Sequence, residues 1–343
     1  GASMNTVHTE NLTKIFDNRL IALNRVNLTI PQGTVFGLIG SNGAGKTTLL
    51  RLILGLHRPS AGTVKVFGEP VSPQTARLRQ RVGFLAQSGA FPPNMTAIGF
   101  LDLVGRIFGV PKGERKARLS ALIHAVDLLS ASFQRIETLS TGMKTRLGIA
   151  ASLINDPDFL MWDEPTVGLD PTGRKYTLDL IRALKEEGKT VILSTHILPD
   201  ADQACDQLGI LNHGKLIFLG TATELKRISQ RNIVDLALHG DVDRLVHSIS
   251  TEEEHLRCER ICDEIVRVSF SDGRNLSADL PKLLETVSRH DVDILSVRTA
   301  GEIEDAFLKH LEVDRVRGFS RAYGTQKLNS TSDDERTDTQ DSQ

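Results

Sequence analysis

The sequence has few cysteines and few aromatic residues, and it contains no long apolar run. Three cysteines among 343 residues (Cys205, Cys258 and Cys262) build no disulfide framework, and their spacing matches no zinc-ligand pattern. No apolar run approaches the roughly 18 residues of a membrane span, and the N-terminus lacks the basic and apolar segments of a signal peptide. These absences argue against a disulfide-bonded secreted protein and a membrane-spanning chain, and they predict a reduced, cytosolic compartment.

The charges also lack a dominant sign. The 41 Lys and Arg residues nearly balance the 43 Asp and Glu residues, which leaves a formal net charge of -2. Proteins whose main partner is bulk nucleic acid usually have a strongly basic surface, so no nucleic-acid partner is predicted. The hydrophobic fraction of 40% is sufficient for a packed core. At about 150 residues per domain, the length allows two domains or three.

The order of the apolar segments predicts an α/β fold. Alternating apolar and polar residues over positions 5–30 are typical of antiparallel strands with one solvated face. Short apolar runs at 35–39, 159–162 and 190–194 predict buried strands, and helical segments separate them. This alternation predicts a mostly parallel sheet covered by helices.

A second pattern of strands and helices runs from about position 221 to 313. It predicts a small two-layer α/β domain, whose last helix covers 302–311. Positions 314–343 become polar, which predicts a disordered tail. Residues 1–3, ahead of Met4, resemble a cloning remnant. The first predicted domain therefore covers positions 4–220.

Positions 40–47 match the phosphate-binding pattern G-x-x-x-x-G-K-[ST]. Glycines let the backbone N–H groups point at phosphate oxygens, and the positive end of the following helix adds to the attraction. Lys46 is expected to reach the β- and γ-phosphates, and Thr47 to offer its hydroxyl to Mg²⁺. A chance glycine-rich turn is the alternative, but the apolar strand before the loop favours a nucleotide site. The predicted nucleotide-binding residues are Gly40, Ser41, Asn42, Gly43, Ala44, Gly45, Lys46, Thr47 and Thr48.

Two carboxylates follow the apolar run at 159–162. Asp163, at a strand end beside the phosphate loop, is placed to bind Mg²⁺ directly or through water. Glu164 comes immediately after it and could polarise an attacking water as a general base. An ordinary turn at a strand end is the alternative. Together with the phosphate loop, the pair predicts an enzyme that hydrolyses a nucleoside triphosphate.

Positions 139–143, Leu-Ser-Thr-Gly-Met, resemble the LSGGQ signature of the nucleotide-binding subunit of ABC transporters. Thr141 replaces the first glycine of the pair and Met143 replaces the glutamine, while Ser140 and Gly142 are retained. The resemblance implies that Ser140 and Gly142 contact the γ-phosphate of a nucleotide bound to an opposite subunit. A simple helix N-cap at Ser140 is the structural alternative, and the two roles are compatible.

Four further positions fit this resemblance in the family's order. Phe16, which lies 24 residues before Gly40, resembles the aromatic residue that stacks on adenine. Gln87 resembles the glutamine that contacts Mg²⁺ and links the site to a membrane subunit. Asp170 resembles the aspartate of a loop that crosses the dimer interface, and His196 resembles the switch histidine that contacts the γ-phosphate. The structural alternatives are core packing for Phe16 and a structural role for His196.

The resemblance implies both a fold and an activity. The fold is a P-loop NTPase with a RecA-like core, an antiparallel β subdomain and a helical signature subdomain, to which the small C-terminal α/β domain is added. The activity is ATP hydrolysis with ATP and Mg²⁺ as cofactors. The implied catalytic residues are Lys46, Glu164 and His196, and the implied metal ligands are Thr47, Gln87 and Asp163.

The implied partners are integral-membrane transporter subunits and a second ATP-binding subunit, in a homodimer or a heterodimer. Segments 196–199 and 303–308 resemble the family branch whose membrane subunits are separate, exporter-like proteins of the ABC-2 type. This implies a peripheral location on the cytoplasmic side of the cell membrane. Part of segment 88–110 is expected to form the groove for a helix of the membrane subunit.

Other functions remain open at this point. The chain could be a soluble ABC ATPase of translation or DNA repair, a GTPase, or a nucleotide-gated regulatory module. Its single set of motifs, with only 94 residues between Lys46 and Ser140, disfavours the first class. The absence of an Asn-Lys-x-Asp motif disfavours a GTPase, and the complete set of motif residues disfavours an inactive site.

Overall fold

The computed structural model describes residues 5–16, 20–87, 91–229, 233–252, 255–262, 264–270, 276–290 and 292–299. The predicted cloning remnant, the helix at 302–311 and the polar tail lie outside these residues. Within this part of the chain the strands are β1 (Asn5–Ile15), β2 (Ile21–Pro31), β3 (Val35–Ile39), β4 (Ala61–Val66), β5 (Glu69–Pro70), β6 (Val82–Leu85), β7 (Phe159–Asp163), β8 (Thr190–Thr195), β9 (Gln207–Asn212), β10 (Lys215–Gly220), β11 (Ile233–Gly240), β12 (Leu256–Cys262), β13 (Ile265–Phe270) and β14 (Val292–Thr299).

The helices have the following bounds within the same residues. They are α1 (Lys46–Ile53), α2 (Ala76–Arg79), α3 (Ala97–Ile107), α4 (Lys112–Ala125), α5 (Thr141–Leu153), α6 (Pro171–Glu186), α7 (Leu198–Ala204), α8 (Ala222–Ser229), α9 (Val242–Glu252) and α10 (Leu276–Ser288). None of these helices is both long enough and apolar enough to cross a bilayer.

A six-stranded sheet forms the centre of the fold, in the order β10-β9-β3-β8-β7-β6. Strands β9 to β6 of this order run parallel, and β10 joins the edge antiparallel to β9. The residues of β7 alternate between two hydrophobic clusters: Leu160 and Trp162 enter one, and Phe159 and Met161 enter the other. Both faces of the sheet are therefore covered, which explains the fully apolar strands that predicted it.

The predicted antiparallel strands at the N-terminus form a second sheet, in the order β2-β1-β4-β5. Val7 of β1 pairs with Ile30 on one side and with Val66 on the other. These residues enter the same hydrophobic cluster as Leu49 of α1, so this sheet packs beside the helix that follows the phosphate loop.

Helices α3, α4 and α5 pack on the other face of the central sheet. Leu101, Leu119 and Leu147, one from each helix, are at most 5% exposed and share a cluster with Trp162 of β7. Thr96 caps α3, where its Oγ1 accepts a hydrogen bond from the N–H of Gly99 at 3.1 Å.

The third sheet has the order β12-β13-β11-β14, with all neighbouring strands antiparallel. With α9 and α10 it follows a β-α-β-β-α-β order. Its hydrophobic cluster is built only from residues of this part, such as Leu236, Val268 and Leu283. This separate hydrophobic cluster is consistent with the small α/β domain that the sequence predicts. The domain boundary near Gly220 stays a prediction.

One strand of the C-terminal sequence was missed. The apolar pattern did not reveal β12, on which Cys258 and Cys262 both lie. Most of β12 is exposed, with Leu256 its buried member, so its sequence carries little hydrophobic alternation. Strands β9 and β10 and helices α7 and α8 were also not predicted.

Candidate active site

The predicted phosphate loop connects β3 to α1, and its glycines are required by the backbone that surrounds it. A Cβ atom on Gly40 would lie 2.4 Å from the carbonyl oxygen of Leu211, on β9. Gly45 has φ +115°, and a Cβ there would lie 2.6 Å from the carbonyl oxygen of Ala22, on β2. The loop is therefore held between two sheets in a conformation that L side chains rarely adopt.

Lys46 begins α1 and is 6% exposed. Its Nζ donates a hydrogen bond to the carbonyl oxygen of Gly40 at 2.7 Å and lies 3.2 Å from Oε1 of Glu164. The Lys46 ammonium group is thus held at the loop by protein oxygens, which use some of its N–H donors. These bonds place a positive charge beside the N–H groups of a helix start, which suits an anion.

Asp163 ends β7 and is 2% exposed. Its Oδ2 accepts a hydrogen bond from the Thr47 hydroxyl at 2.7 Å, and its Oδ1 accepts one from Ser194 Oγ. Ser194 lies on β8, the neighbouring parallel strand. Three oxygen-bearing side chains thus meet at the carboxyl edge of the sheet. Sequence reasoning missed Ser194, although a serine at the end of an apolar strand was a usable signal.

Glu164 follows Asp163 in a left-handed backbone conformation, with φ +57°. Its N–H donates to the carbonyl oxygen of Ser194 at 3.0 Å, and its Oε2 lies 2.9 Å from Nδ1 of His196. Its other oxygen, Oε1, has no hydrogen-bond partner among the described residues, since the nearby Lys46 does not meet the bond geometry. Such a backbone conformation is uncommon outside glycine and is often found at functional sites.

A cavity of about 250 Å³, here called the first cavity, lies against these groups. It brings together the aromatic residue, the phosphate loop and the carboxylates that the sequence singled out. Its lining residues are Phe16, Leu20, Ala22, Ser41, Asn42, Gly43, Gly45, Lys46, Thr47, Thr48, Gln87, Asp163 and Glu164. Gly40 and Ala44 shape the loop without lining the cavity, and His196 reaches it through Glu164.

Phe16 is half-buried and lines the first cavity. Its ring meets the ring of His57 edge-on with centroids 5.8 Å apart, and Lys14 Nζ lies 5.2 Å from its centroid. Burial, together with the charges of Lys14 and Arg51, lowers the pKa of His57 below its ordinary value. A neutral imidazole is therefore favoured beside Phe16.

Ser140, Gly142 and Asp170 do not line the first cavity. They lie on a second cavity of about 460 Å³, together with Thr141, Met143, Arg146, Gly168 and Leu169. Ser140 caps α5, where its Oγ accepts from the N–H of Met143 at 3.2 Å. Asp170 caps α6, where its Oδ1 accepts from the N–H of Gly173 at 3.1 Å. One chain therefore carries the predicted site residues in two cavities that share no lining residue.

The donor set for a metal is incomplete in the protein alone. Within the described residues, no group of three or more His, Cys, Asp or Glu side chains could hold a metal ion. Thr47, Gln87 and Asp163 nevertheless face one cavity and present the hard oxygen donors that Mg²⁺ prefers. The set suits a cation whose remaining ligands come from water and phosphate oxygens.

In both sequence and fold, this chain is similar to proteins of one family. The family described as ABC transporter matches residues 23–167. The daunorubicin/doxorubicin resistance ATP-binding protein DrrA of Streptomyces peucetius is 38% identical over 233 residues, covering 68% of this chain and 70% of that protein. The linearmycin resistance ATP-binding protein LnrL of Bacillus subtilis (strain 168) is 31% identical over 290 residues, covering 84% of this chain and 92% of that protein.

A solved structure shows the same likeness. The ATP-binding cassette MJ0796, in a dimeric post-hydrolysis state bound to ADP and Pi, is 26% identical with a TM-score of 0.59. The match covers 63% of this chain and 98% of that chain. The predicted fold class, a P-loop NTPase with mixed α/β sheets, is confirmed by these findings.

Proposed function

Since this chain belongs to the ABC transporter family, as its ATP-binding and ATP-hydrolysing subunit, we propose that the first cavity holds MgATP and that Glu164 and His196 act on its terminal phosphate. The observation that carries this proposal is the composition of the first cavity. Its lining combines an aromatic ring with a lysine, two carboxylates and a helix start. This combination matches the chemistry of adenine and triphosphate in one bound molecule.

The phosphate chain would bind at residues 41–48. Backbone N–H groups of the loop, the α1 start and Lys46 all favour negative charge there. The adenine would stack on Phe16, whose ring is held in place by His57. Thr47, Gln87 and Asp163 would hold Mg²⁺, which when bound neutralises part of the phosphate charge.

Hydrolysis would transfer the γ-phosphoryl group to water. Glu164 accepts a proton from the attacking water. The oxygen of that water forms a bond to the γ-phosphorus, and the bond between this phosphorus and ADP breaks. Oε1 of Glu164, without a hydrogen-bond partner among the described residues, is the oxygen available to the water. His196 is held at Nδ1 by Glu164, and its other ring nitrogen, Nε2, would contact a γ-phosphate oxygen.

The second cavity would complete the site of another copy. Ser140 and Gly142 stand at the N-terminus of α5, which suits a phosphate, yet they do not line the first cavity of their own chain. Two chains facing each other would bring the signature of one to the γ-phosphate of the other. ATP then favours the closed pair because it contacts both chains, and hydrolysis removes that preference.

We further propose that opening and closing drive separate membrane subunits from the cytoplasmic side of the membrane. A third cavity of about 250 Å³ is lined by Gln87, Phe91 and Lys144, among others, and it adjoins Asp163 and Glu164. A membrane-subunit helix seated there would sense the state of the nucleotide site through Gln87. The names of two relatives concern resistance to daunorubicin or doxorubicin and to linearmycin, which favours export as the transport direction.

The decisive experiment replaces Glu164 with glutamine, which keeps the shape and removes the base. Glu164→Gln is expected to bind ATP and to form ATP-dependent dimers. Its rate of ATP hydrolysis should fall roughly a hundredfold or more below that of the parent. Steady-state phosphate release and light scattering on a sizing column measure these properties. Glu187→Gln, at the exposed end of α6, is the matched control and should behave like the parent. Brisk hydrolysis by Glu164→Gln would refute the assignment of the base.

A further inference from the structure

Asp200 is a charged residue that is almost completely inaccessible, with 1% exposure. It lies on α7, four residues after His196. Its Oδ2 accepts a hydrogen bond from Thr166 Oγ1 at 2.5 Å, and its Oδ1 accepts one from Arg174 Nε at 2.5 Å. Both carboxylate oxygens are thus occupied by specific donors, and Asp200 lines none of the three cavities described above.

The two donors come from segments that carry the site. Thr166 is 3% exposed and lies two residues after Glu164, in the turn between β7 and α6. Arg174 lies in the first turn of α6, where its N–H donates to the carbonyl oxygen of Asp170 at 2.8 Å. Asp200 therefore joins the turn of Glu164, the helix after His196 and the helix that Asp170 caps.

Stability alone is a weak explanation for this arrangement. Removing a carboxylate from water costs several kcal/mol, and its attraction to one cation often does no more than offset that cost. A cluster of apolar side chains would hold α6 and α7 together at least as well. A directional pair of hydrogen bonds instead fixes relative positions, which matters where two side chains must keep a 2.9 Å contact.

We propose that Asp200 is a positioning residue for hydrolysis, which holds the Glu164 turn and the His196 helix in register with α6. The inference rests on the proposed function, since it assigns Asp200 to the alignment of the proposed base and switch histidine. Among the described residues, the hydrogen bonds and ion pair of the Asp200 carboxylate involve Thr166 and Arg174 and not Lys46 or the phosphate loop. The network should therefore influence the chemical step much more than the binding of ATP.

The test compares ATP affinity with turnover in matched variants. Asp200→Asn and Thr166→Val should lower kcat roughly ten- to hundredfold, the loss caused by misplacing catalytic groups by about an ångström. Their dissociation constant for a fluorescent ATP analogue should stay within about threefold of the parent. Thr166→Ser, which keeps the hydroxyl donor, should recover most of the turnover. Asp202→Asn, on the same helix but paired at the surface with Lys226, should match the parent.

A double variant separates alignment from general loosening of the fold. If Asp200 acts through His196, then Asp200→Asn should lower kcat much less in the His196→Ala background than in the parent. An equal loss of kcat in the two backgrounds would overturn the inference. A kcat equal to that of the parent in both Asp200→Asn and Thr166→Val would also overturn it. If Asp200→Asn does not fold, the Thr166→Val and Thr166→Ser pair decides: equal kcat in the two variants refutes the network. A parent that binds ATP without hydrolysing it would instead overturn the proposed function.

Discussion

At the scale of single residues, Glu164 concentrates the unusual features of this molecule. It is 4% exposed, has φ +57°, contacts His196 through one oxygen and leaves the other without a hydrogen bond among the described residues. Its burial and its left-handed backbone each cost free energy in the isolated chain. Such costs are typical of residues at active sites and ligand-binding sites.

The cysteines allow a prediction at the same scale. Burial raises the pKa of Cys258 to about 11, and burial with nearby Asp206 and Asp200 raises the pKa of Cys205 further. Less thiolate at a given pH means slower alkylation, since the thiolate is the nucleophile. Iodoacetamide at pH 8 should therefore modify exposed Cys262 first, then Cys258, with Cys205 protected until the chain unfolds. Peptide mass spectrometry over time gives the order, and early labelling of Cys205 would contradict the structure.

At the scale of elements, side-chain caps and apolar spacing define the helices around the site. Helix α6 starts at Pro171 behind the Asp170 cap, and its apolar residues Leu178, Ile181 and Leu184 recur at intervals of three. These signals are local, so the sequence alone predicts a helical segment between β7 and β8. Strands β9 and β10 carry no comparable start signal. They were missed even though they complete one edge of the central sheet.

The prediction at this scale compares the stability effect of an alanine in the phosphate loop, at Gly45, with that of an alanine outside the loop, at Gly188. Gly188→Ala places a methyl group in open space at φ +81°, and should cost about 1 kcal/mol of stability from backbone strain. Gly45→Ala has φ +115° and also forces Cβ to 2.6 Å from the carbonyl oxygen of Ala22. It should destabilise the protein by at least about twice as much. Urea unfolding of the two variants measures the difference, and equal midpoints would contradict the tight packing of the loop.

At the scale of the whole molecule, two surfaces of one chain carry the two halves of a proposed nucleotide site. The first cavity includes the phosphate loop, and the second includes the signature residues. The third sheet has its own hydrophobic cluster, whose described members all lie between positions 234 and 292. Under the proposed function, pairing with a second ATP-binding subunit would complete the site.

This arrangement predicts the effect of a bulky charge at the signature. Ser140→Arg should bind ATP with the affinity of the parent, because the first cavity is untouched, but should not dimerise or hydrolyse ATP. Loss of the α5 cap should lower stability by about 1 kcal/mol, which thermal unfolding can monitor separately. Ser130→Arg, at an exposed position, is the matched control. Normal ATPase activity in Ser140→Arg would mean that the signature does not act on a neighbouring copy.

The sequence by itself determined the phosphate loop, the parallel strands and the order of the motifs, because these depend on neighbouring residues and on short hydrophobic periods. Only the tertiary structure decided that Glu164 meets His196, that Asp200 is buried between Thr166 and Arg174, and that Ser140 lies apart from the first cavity. These contacts join residues far apart in the chain. Their distances depend on strand order and helix packing, which no local pattern encodes.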